Sequence, residues 1–202
     1  MIKKFDEFIN ESEKPLKINL HPETRGELDF VIREIIKSDG NECNLNKIDV
    51  SKIEDFSYLF YNFGEFNGKI SEWDVSNATT MKGMFYGAES FNQPLDKWDV
   101  SKVKDMSGMF AYADSFNQPL DKWDVSNVEN MDLMFRGADS FNQPLDKWDV
   151  SSVKNMNSMF YKAKSFNQQL DKWDVSNVED MGWMFDDTPL KKNQKLPKWY
   201  KH

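Results

Sequence analysis

The sequence has a single cysteine, Cys43, which excludes an intramolecular disulfide and a cysteine-based zinc site within one chain. It has no run that approaches the roughly 18 apolar residues of a membrane span. Its N-terminus lacks the apolar core of a secretory signal peptide, because Asp6 and Glu7 interrupt it. Basic residues are outnumbered, and the formal net charge of -8 disfavours nucleic-acid phosphate as a partner. These absences favour a cytoplasmic location over Sec-dependent export.

Aromatic residues are abundant, although the mean hydropathy of -0.73 is low for a folded protein. The chain has 16 Phe, 7 Trp and 6 Tyr, which is too many for a solvated tail. Each aromatic side chain buries a large area, so relatively few apolar residues can still build a core. We therefore expect a folded protein.

A 25-residue period runs without insertion or deletion from residue 41 to residue 190. The third unit reads FNQPLDKWDVSKVKDMSGMFAYADS, and the next two units repeat it with few changes. The six units are 41–65, 66–90, 91–115, 116–140, 141–165 and 166–190. An uninterrupted period of this length predicts a solenoid in which every coil stacks on its neighbour.

Large apolar residues recur at fixed places in the unit, and no single coil can bury them. Burying one Trp of roughly 200 Å² contributes about 5 kcal/mol, against an ordering cost of about 1.5 kcal/mol per residue, so several columns are needed. The main columns are Trp73, Trp98, Trp123, Trp148 and Trp173; Phe66, Phe91, Phe116, Phe141 and Phe166; and Phe60, Phe85, Phe110, Phe135, Phe160 and Phe185. An Asn column from Asn67 to Asn167 accompanies them, and we expect its side chains to hydrogen-bond the next coil.

Each unit has a strand-like part and a helix-like part. In the third unit, residues 95–98 and 103–106 are expected to form short strands, and residues 107–113 have the apolar spacing of a short helical turn. The motif Asp99-Val100-Ser101 recurs in every unit and predicts a turn in which side chains satisfy local N–H groups. The predicted fold class is an α+β repeat, a solenoid of short strands and short helical turns.

The flanking segments are expected to cap the two ends of the solenoid. Residues 23–40 predict an N-terminal capping helix, because Thr24 and Glu27 match a capping box and apolar residues follow with helical spacing. The predicted organisation is an N-terminal extension and linker at 1–22, the capping helix at 23–40, the solenoid at 41–190 and a C-terminal cap or tail at 191–202.

The repeat WDVSxVxxMxxMF followed by AxSFNQ closely resembles the BspA-type leucine-rich-repeat surface-protein family of bacteria, over about residues 23–202. The resemblance implies a leucine-rich-repeat-like solenoid with a role in adhesion or protein binding. The chain departs from the surface-exposed members because it shows no secretion signal, lipobox or wall anchor.

A second resemblance concerns residues 4–11, KFDEFINE, which are similar to the capsid-targeting peptide of internal head proteins in T-even-type bacteriophages. In those proteins a prohead protease cuts after a Leu/Ile-x-Glu signal, and Ile9-Asn10-Glu11 fits it. The resemblance implies a phage-encoded, virion-associated protein. The alternative is an ordinary amphipathic extension.

Catalytic and metal chemistry find little support in the sequence. The Asp column that includes Asp99 lacks the Gly-rich loops of calcium-binding coils, so turn capping is the favoured interpretation. Asp96 and Asp99 could serve acid–base hydrolysis, but the pair recurs in every regular coil, whereas an active site occurs once. His21 and His202 lie near the chain ends, where neither suits a catalytic base. We expect a protein that is not an enzyme and that has no catalytic residues, cofactor or metal.

Positions that vary between units are the candidates for binding, because they are expected to point outward. Exposed aromatic residues and Arg are enriched at interaction hot spots. The candidate partner-binding residues are Tyr86, Tyr112, Arg136, Tyr161 and Trp183. The leading hypothesis is a protein-interaction or adhesion module that contacts a protein or a glycan, with neither nucleic acid nor membrane as partner. The alternative is a structural or packaged bacteriophage protein without a dedicated ligand.

Overall fold

A computed structural model describes residues 19–200, so the phage-like segment 4–11 and His202 lie outside the described residues. Two helices, α1 (Arg25–Asp39) and α2 (Pro189–Lys192), flank the repeats. Between them the described chain has single-residue parallel bridges in place of extended strands, for example between Asp105 and Asn130. The bridges join Asn44 to Lys69 and then Asp55, Thr80, Asp105, Asn130, Asn155 and Asp180 in series. Because each bridge joins residues 25 apart, the coils stack in register.

Segment 107–113 is a series of tight turns, where the apolar spacing predicts a short helix. Gly108 and Tyr112 have φ angles of 61° and 57°, and an α-helix does not contain such left-handed residues. The backbone N–H of Gly108 donates to the carbonyl of Asp132 in the next coil (2.7 Å). Intervening N–H groups donate instead to the carbonyl three residues back. The backbone therefore alternates between closing its own turns and joining the neighbouring coil.

The aromatic columns form one continuous core. Rings of the second Phe column lie parallel from coil to coil, as for Phe110 and Phe135 at 5.6 Å and 7°. The Trp rings are only 4% exposed, and Trp73 and Trp98 stack at 6.4 Å and 5°. Each indole N–H also donates to a carbonyl 28 residues earlier, as from Trp123 to Leu95 (2.9 Å). The prediction that the Trp column is buried between coils is confirmed.

Polar columns satisfy backbone groups at the coil corners. The Asn92 amide oxygen accepts the backbone N–H of Asn117 (3.0 Å), and the same bond recurs along the Asn column. The Asp149 carboxylate accepts the backbone N–H of Ser151 (3.0 Å), and the same bond caps this turn in all six units. Both predicted polar roles, the Asn ladder and the Asp turn cap, are confirmed.

Helix α1 covers the open face of the first coil. Its apolar side, Leu28, Val31, Ile32 and Ile35, is buried, and the Thr24 hydroxyl accepts the N–H of Glu27 as the capping box predicts. The Arg25 guanidinium donates to the carbonyl of Ser57 (3.1 Å). In the later coils the corresponding carbonyl accepts an N–H from the preceding coil, and Arg25 supplies that donor where no coil precedes.

No helix within residues 19–200 is long and apolar enough to cross a membrane.

The C-terminal end continues the Trp column beyond the last repeat. Trp199 stacks on Trp173 at 6.3 Å and 11°, and its indole N–H donates to the carbonyl of Leu170 (2.8 Å). These are the contacts that each indole in the repeats makes with the coil before it. A single residue after α2 therefore takes the place of a Trp from a seventh coil.

Candidate interaction surface

A line of surface side chains crosses the turn segments of all six coils. We call it the aromatic strip; its members are Tyr58, Tyr61, Tyr86, Tyr112, Arg136, Tyr161 and Trp183. The ring centroids of Tyr61 and Tyr86 are 5.2 Å apart, and those of Tyr86 and Tyr112 are 5.4 Å apart. The Arg136 guanidinium lies over the rings of Tyr112 (5.7 Å) and Tyr161 (5.1 Å). The contacts are unbroken from the first coil to the last.

The left-handed turns position the strip. Gly137 has a φ of 65°, and a Cβ at this residue would lie 2.7 Å from Cδ1 of Tyr112. Gly83 has a φ of 56°, and a Cβ there would lie 2.5 Å from Cε1 of Tyr58. The left-handed backbone favours glycine at both positions, and the ring of the preceding coil leaves no room there for a Cβ. At these two places a tyrosine ring of the strip packs on the backbone of a glycine in the next coil.

All five residues that the sequence predicts as partner contacts belong to the strip. Trp183 is 67% exposed, and the other four are partly buried by one another. Two members, Tyr58 and Tyr61, were missed, although each is 44% exposed. They lie in the degraded first unit. Tyr58 is 75 residues, or three units, before Leu133 of the same column, and Tyr61 is 100 residues, or four units, before Tyr161 of the same column. Alignment of that unit with the others is the signal that would have found them.

Not every variable position points outward. Ala111 is fully buried and Ser158 is 7% exposed, although both occupy positions that vary between units and such positions were expected to point outward. In the same two columns the larger side chains of Trp183 and Tyr61 are 67% and 44% exposed, so exposure depends on the residue as well as on its place in the unit.

The strip borders two open depressions. One, of about 420 Å³, is lined by Arg136, Asn157, Ser158, Tyr161 and Trp183. The other, of about 360 Å³, lies nearer the N-terminal end; its lining includes Tyr58, Tyr61, Tyr86, Lys82, Ser107 and Asp132. Both have aromatic walls and a few polar groups, which is the usual make-up of a site that anchors a protruding side chain.

Electrostatics distinguish the second depression. Burial raises the pKa of Asp132, and the negative charge of Asp180 adds to this effect. The positive charges of Arg136 and Lys82 oppose it. Burial also raises the pKa of the Tyr86 hydroxyl. A carboxylate that is partly desolvated in this way favours the approach of a cation.

The carboxylate columns elsewhere on the surface are engaged in structure. Lys122, Lys147 and Lys172 each pair with the Asp that lies 26 residues earlier, at 3.1 Å in every case. The other Asp column caps turns. Among residues 19–200 no group of three or more His, Cys, Asp or Glu side chains is placed to hold a metal ion.

Comparison with known proteins agrees with a repeat architecture. The chain matches the model of the family described as "Mycoplasma protein of unknown function, DUF285" over residues 32–131 and again over residues 96–199. No curated protein and no solved structure gives a significant match. The two matches overlap, as expected when one family model is placed twice on a run of similar units. Since together they cover most of the chain, the protein belongs to the DUF285 repeat family.

Proposed function

We propose that the protein is a non-catalytic binding module that contacts a partner protein through the aromatic strip. The BspA-type resemblance and the in-register coils support a leucine-rich-repeat-like solenoid as its framework. The observation that carries the proposal is the unbroken series of ring and guanidinium contacts across six coils. These side chains are not part of the buried apolar core. Tyr, Trp and Arg are the residues most enriched at protein-binding hot spots.

The composition of the strip favours a protein partner over a glycan. Arg136 is held between two rings, so little side-chain freedom remains to be lost on binding. Its terminal N–H groups suit carboxylate and carbonyl groups of a polypeptide, whereas its Nε is buried without a partner. Trp183, with 67% of its surface exposed, offers a large area that a partner can bury. The rest of the strip would exclude water around these two anchors.

Site-specific photo-crosslinking tests the proposal. A photoreactive phenylalanine is placed at Tyr161 in the strip or, as a matched control, at the exposed Lys97 on the polar surface. In a lysate of the cells that naturally make the protein, we expect one defined adduct from position 161 and none from position 97. The adduct should be identified as a polypeptide and should disappear when Arg136→Ala and Trp183→Ala are added.

Three results would contradict the proposal. Equal adducts from both positions would show non-specific contact, and an adduct that survives both substitutions would place binding elsewhere. An adduct that carries glycan mass would overturn the choice of a protein partner. Thermal unfolding of the double variant provides the folding control, and we expect it to remain cooperative because the Trp and Phe columns are unchanged.

A structural protein without a dedicated ligand, such as a packaged bacteriophage component, is the second candidate. The packing of strip rings over Gly83 and Gly137 favours it, because these contacts hold neighbouring coils together. In this case the strip variants lose stability and no adduct forms. N-terminal sequencing of protein from purified virions tests the packaging role. A chain that begins after Glu11 supports it, and total absence from virions removes it.

A further inference from the structure

Two polar groups in the depression beside Tyr58 and Tyr86 lack partners. Ser107 is 93% buried by its neighbours, being 7% exposed, and its hydroxyl oxygen makes no hydrogen bond. Asp132 lines the same depression, and within the part of the chain that the structure describes its carboxylate has no hydrogen-bond or ion-pair partner. A buried hydroxyl without a partner destabilises the fold. Asp132 is half-buried, so its carboxylate is partly desolvated without a partner in return.

The chain's own cations do not complete the site. Arg136 and Lys82 are close enough to influence Asp132 through charge, but neither lies within ion-pair distance of it. Arg136 is occupied by the rings of Tyr112 and Tyr161. Asp180, two coils further on, and Asp105 in the preceding coil add negative charge at Asp132.

The walls suit a cation as well. Tyr58, Tyr61 and Tyr86 line the depression, and the ring faces of Tyr attract an ammonium or guanidinium group. A long aliphatic stem could pack on the same rings while its charged end reaches the carboxylate. An anion would meet the negative charge of Asp132, and a neutral apolar group would leave the Asp132 carboxylate unpaired.

We infer that this depression receives a cationic side chain, the ammonium of a lysine or the guanidinium of an arginine, from the partner protein. The Asp132 carboxylate pairs with the cation, and the tyrosine rings enclose its stem. The inference rests on the proposed function, because it identifies the chemistry that the strip recognises in its partner.

A small-molecule titration tests the depression without the partner. N-acetyl-lysine methylamide is titrated into the ¹⁵N-labelled full chain and compared with N-acetyl-norleucine methylamide, which has a similar stem and no charge. We expect saturable shifts of the Ser107, Asp132 and Leu133 amide signals with the lysine probe only. A single anchored group predicts a dissociation constant on the order of 1–10 mM.

Matched variants assign the effect to the carboxylate. Asp132→Asn should weaken the lysine probe at least tenfold, and Asn is tolerated because Asn157 occupies the same place in the next coil. Glu54→Gln removes the same charge from an exposed residue outside the depression and should change the affinity less than twofold. Equal binding of both probes, or full affinity in Asp132→Asn, would overturn the inference.

The stability of Asp132→Asn separates recognition from structure. Because the folded pKa of Asp132 is raised, its ionised form costs stability at neutral pH, and this cost disappears as the pH falls below the unfolded value of about 4. We therefore expect Asp132→Asn to melt at the same temperature or higher at pH 7. A lower melting temperature would show that Asp132 is a structural residue and would contradict the inference. Probe binding without a crosslinked partner would refute the proposed function alone.

Discussion

Truncation of a central Trp tests whether the coils stabilise one another through their shared core. Trp123 is 4% exposed, lies 6.3 Å from the ring of Phe110, and donates its indole N–H to the carbonyl of Leu95 at 2.9 Å. Trp123→Ala removes both the ring and the hydrogen bond. Because a repeat contacts only its neighbours, the change weakens the stacking on both sides of one coil.

The expected magnitude follows from two terms. Burial of a Trp side chain of roughly 200 Å² corresponds to about 5 kcal/mol, and Trp→Ala substitutions in cores typically cost about 3–5 kcal/mol. The lost hydrogen bond adds about 0.5–1 kcal/mol, at the low end of the range because the Leu95 carbonyl still accepts the N–H of Trp98 at 3.1 Å. We therefore expect the free energy of unfolding to fall by about 4–6 kcal/mol.

Urea unfolding followed by circular dichroism measures this change, with Trp183→Ala as the matched control. Trp183 is 67% exposed, so its truncation should change the free energy of unfolding by less than about 1 kcal/mol. With a slope of about 2–3 kcal/mol per molar, the midpoint of Trp123→Ala should fall by about 2 M. A loss below about 1 kcal/mol for Trp123→Ala, or equal losses for the two variants, would refute the reasoning.

Two further predictions concern glycine conformation and the Asp turn caps. Gly137→Ala should destabilise the fold by about 1–3 kcal/mol, because it forces an L residue into a left-handed turn and against the ring of Tyr112. Gly26→Ala in α1 places its Cβ where no atom lies within 4 Å, and it should stabilise the fold by about 0.4–1 kcal/mol. The urea midpoints of the two variants should therefore move in opposite directions, and a shift of both in the same direction would contradict this account. For the turn caps, the Ser51 hydroxyl and then its N–H lower the pKa of Asp49 to about 2. Since the unfolded value is about 4, the stabilisation is present above pH 4 and is lost as the pH falls to about 2. The difference in melting temperature between the native chain and Asp49→Ala should shrink over that window, and a constant difference would argue against the cap.

The parts of the fold that the sequence predicts are those that repetition makes visible. Every Trp of the column faces the same neighbours, so one physical argument about Trp98 applies to all of them. The Asn ladder and the Asp turn cap were predictable for the same reason, since their hydrogen bonds join equivalent residues or residues two apart. Interactions with a fixed sequence separation leave a signature in the period itself.

The turn segment was not predictable in the same way. Spacing of Met106, Met109 and Phe110 fits a helix, and it fits equally a chain of turns in which every fourth residue is left-handed. The deciding factor is the bond from the Tyr112 N–H to the carbonyl of Arg136 in the next coil (2.7 Å), which a helix could not make because it would donate that N–H to the carbonyl of Gly108. Leu133 and Trp183 adopt the same left-handed conformation without being glycine, so composition alone did not reveal it.

The aromatic strip shows why function was harder to predict than fold. Its members come from different positions of the unit, because the strip residue directly precedes a left-handed residue in some coils and is itself the left-handed residue in others. Tyr112 and Trp183 are themselves left-handed residues, with φ angles of 57° and 61°, whereas Tyr161 is not. A column-by-column comparison therefore divides the strip among three columns of the repeat, although its members meet in space. Because the core is the same in each coil, these departures from the repeat can change without loss of the fold, which lets one framework carry a contact surface that does not repeat.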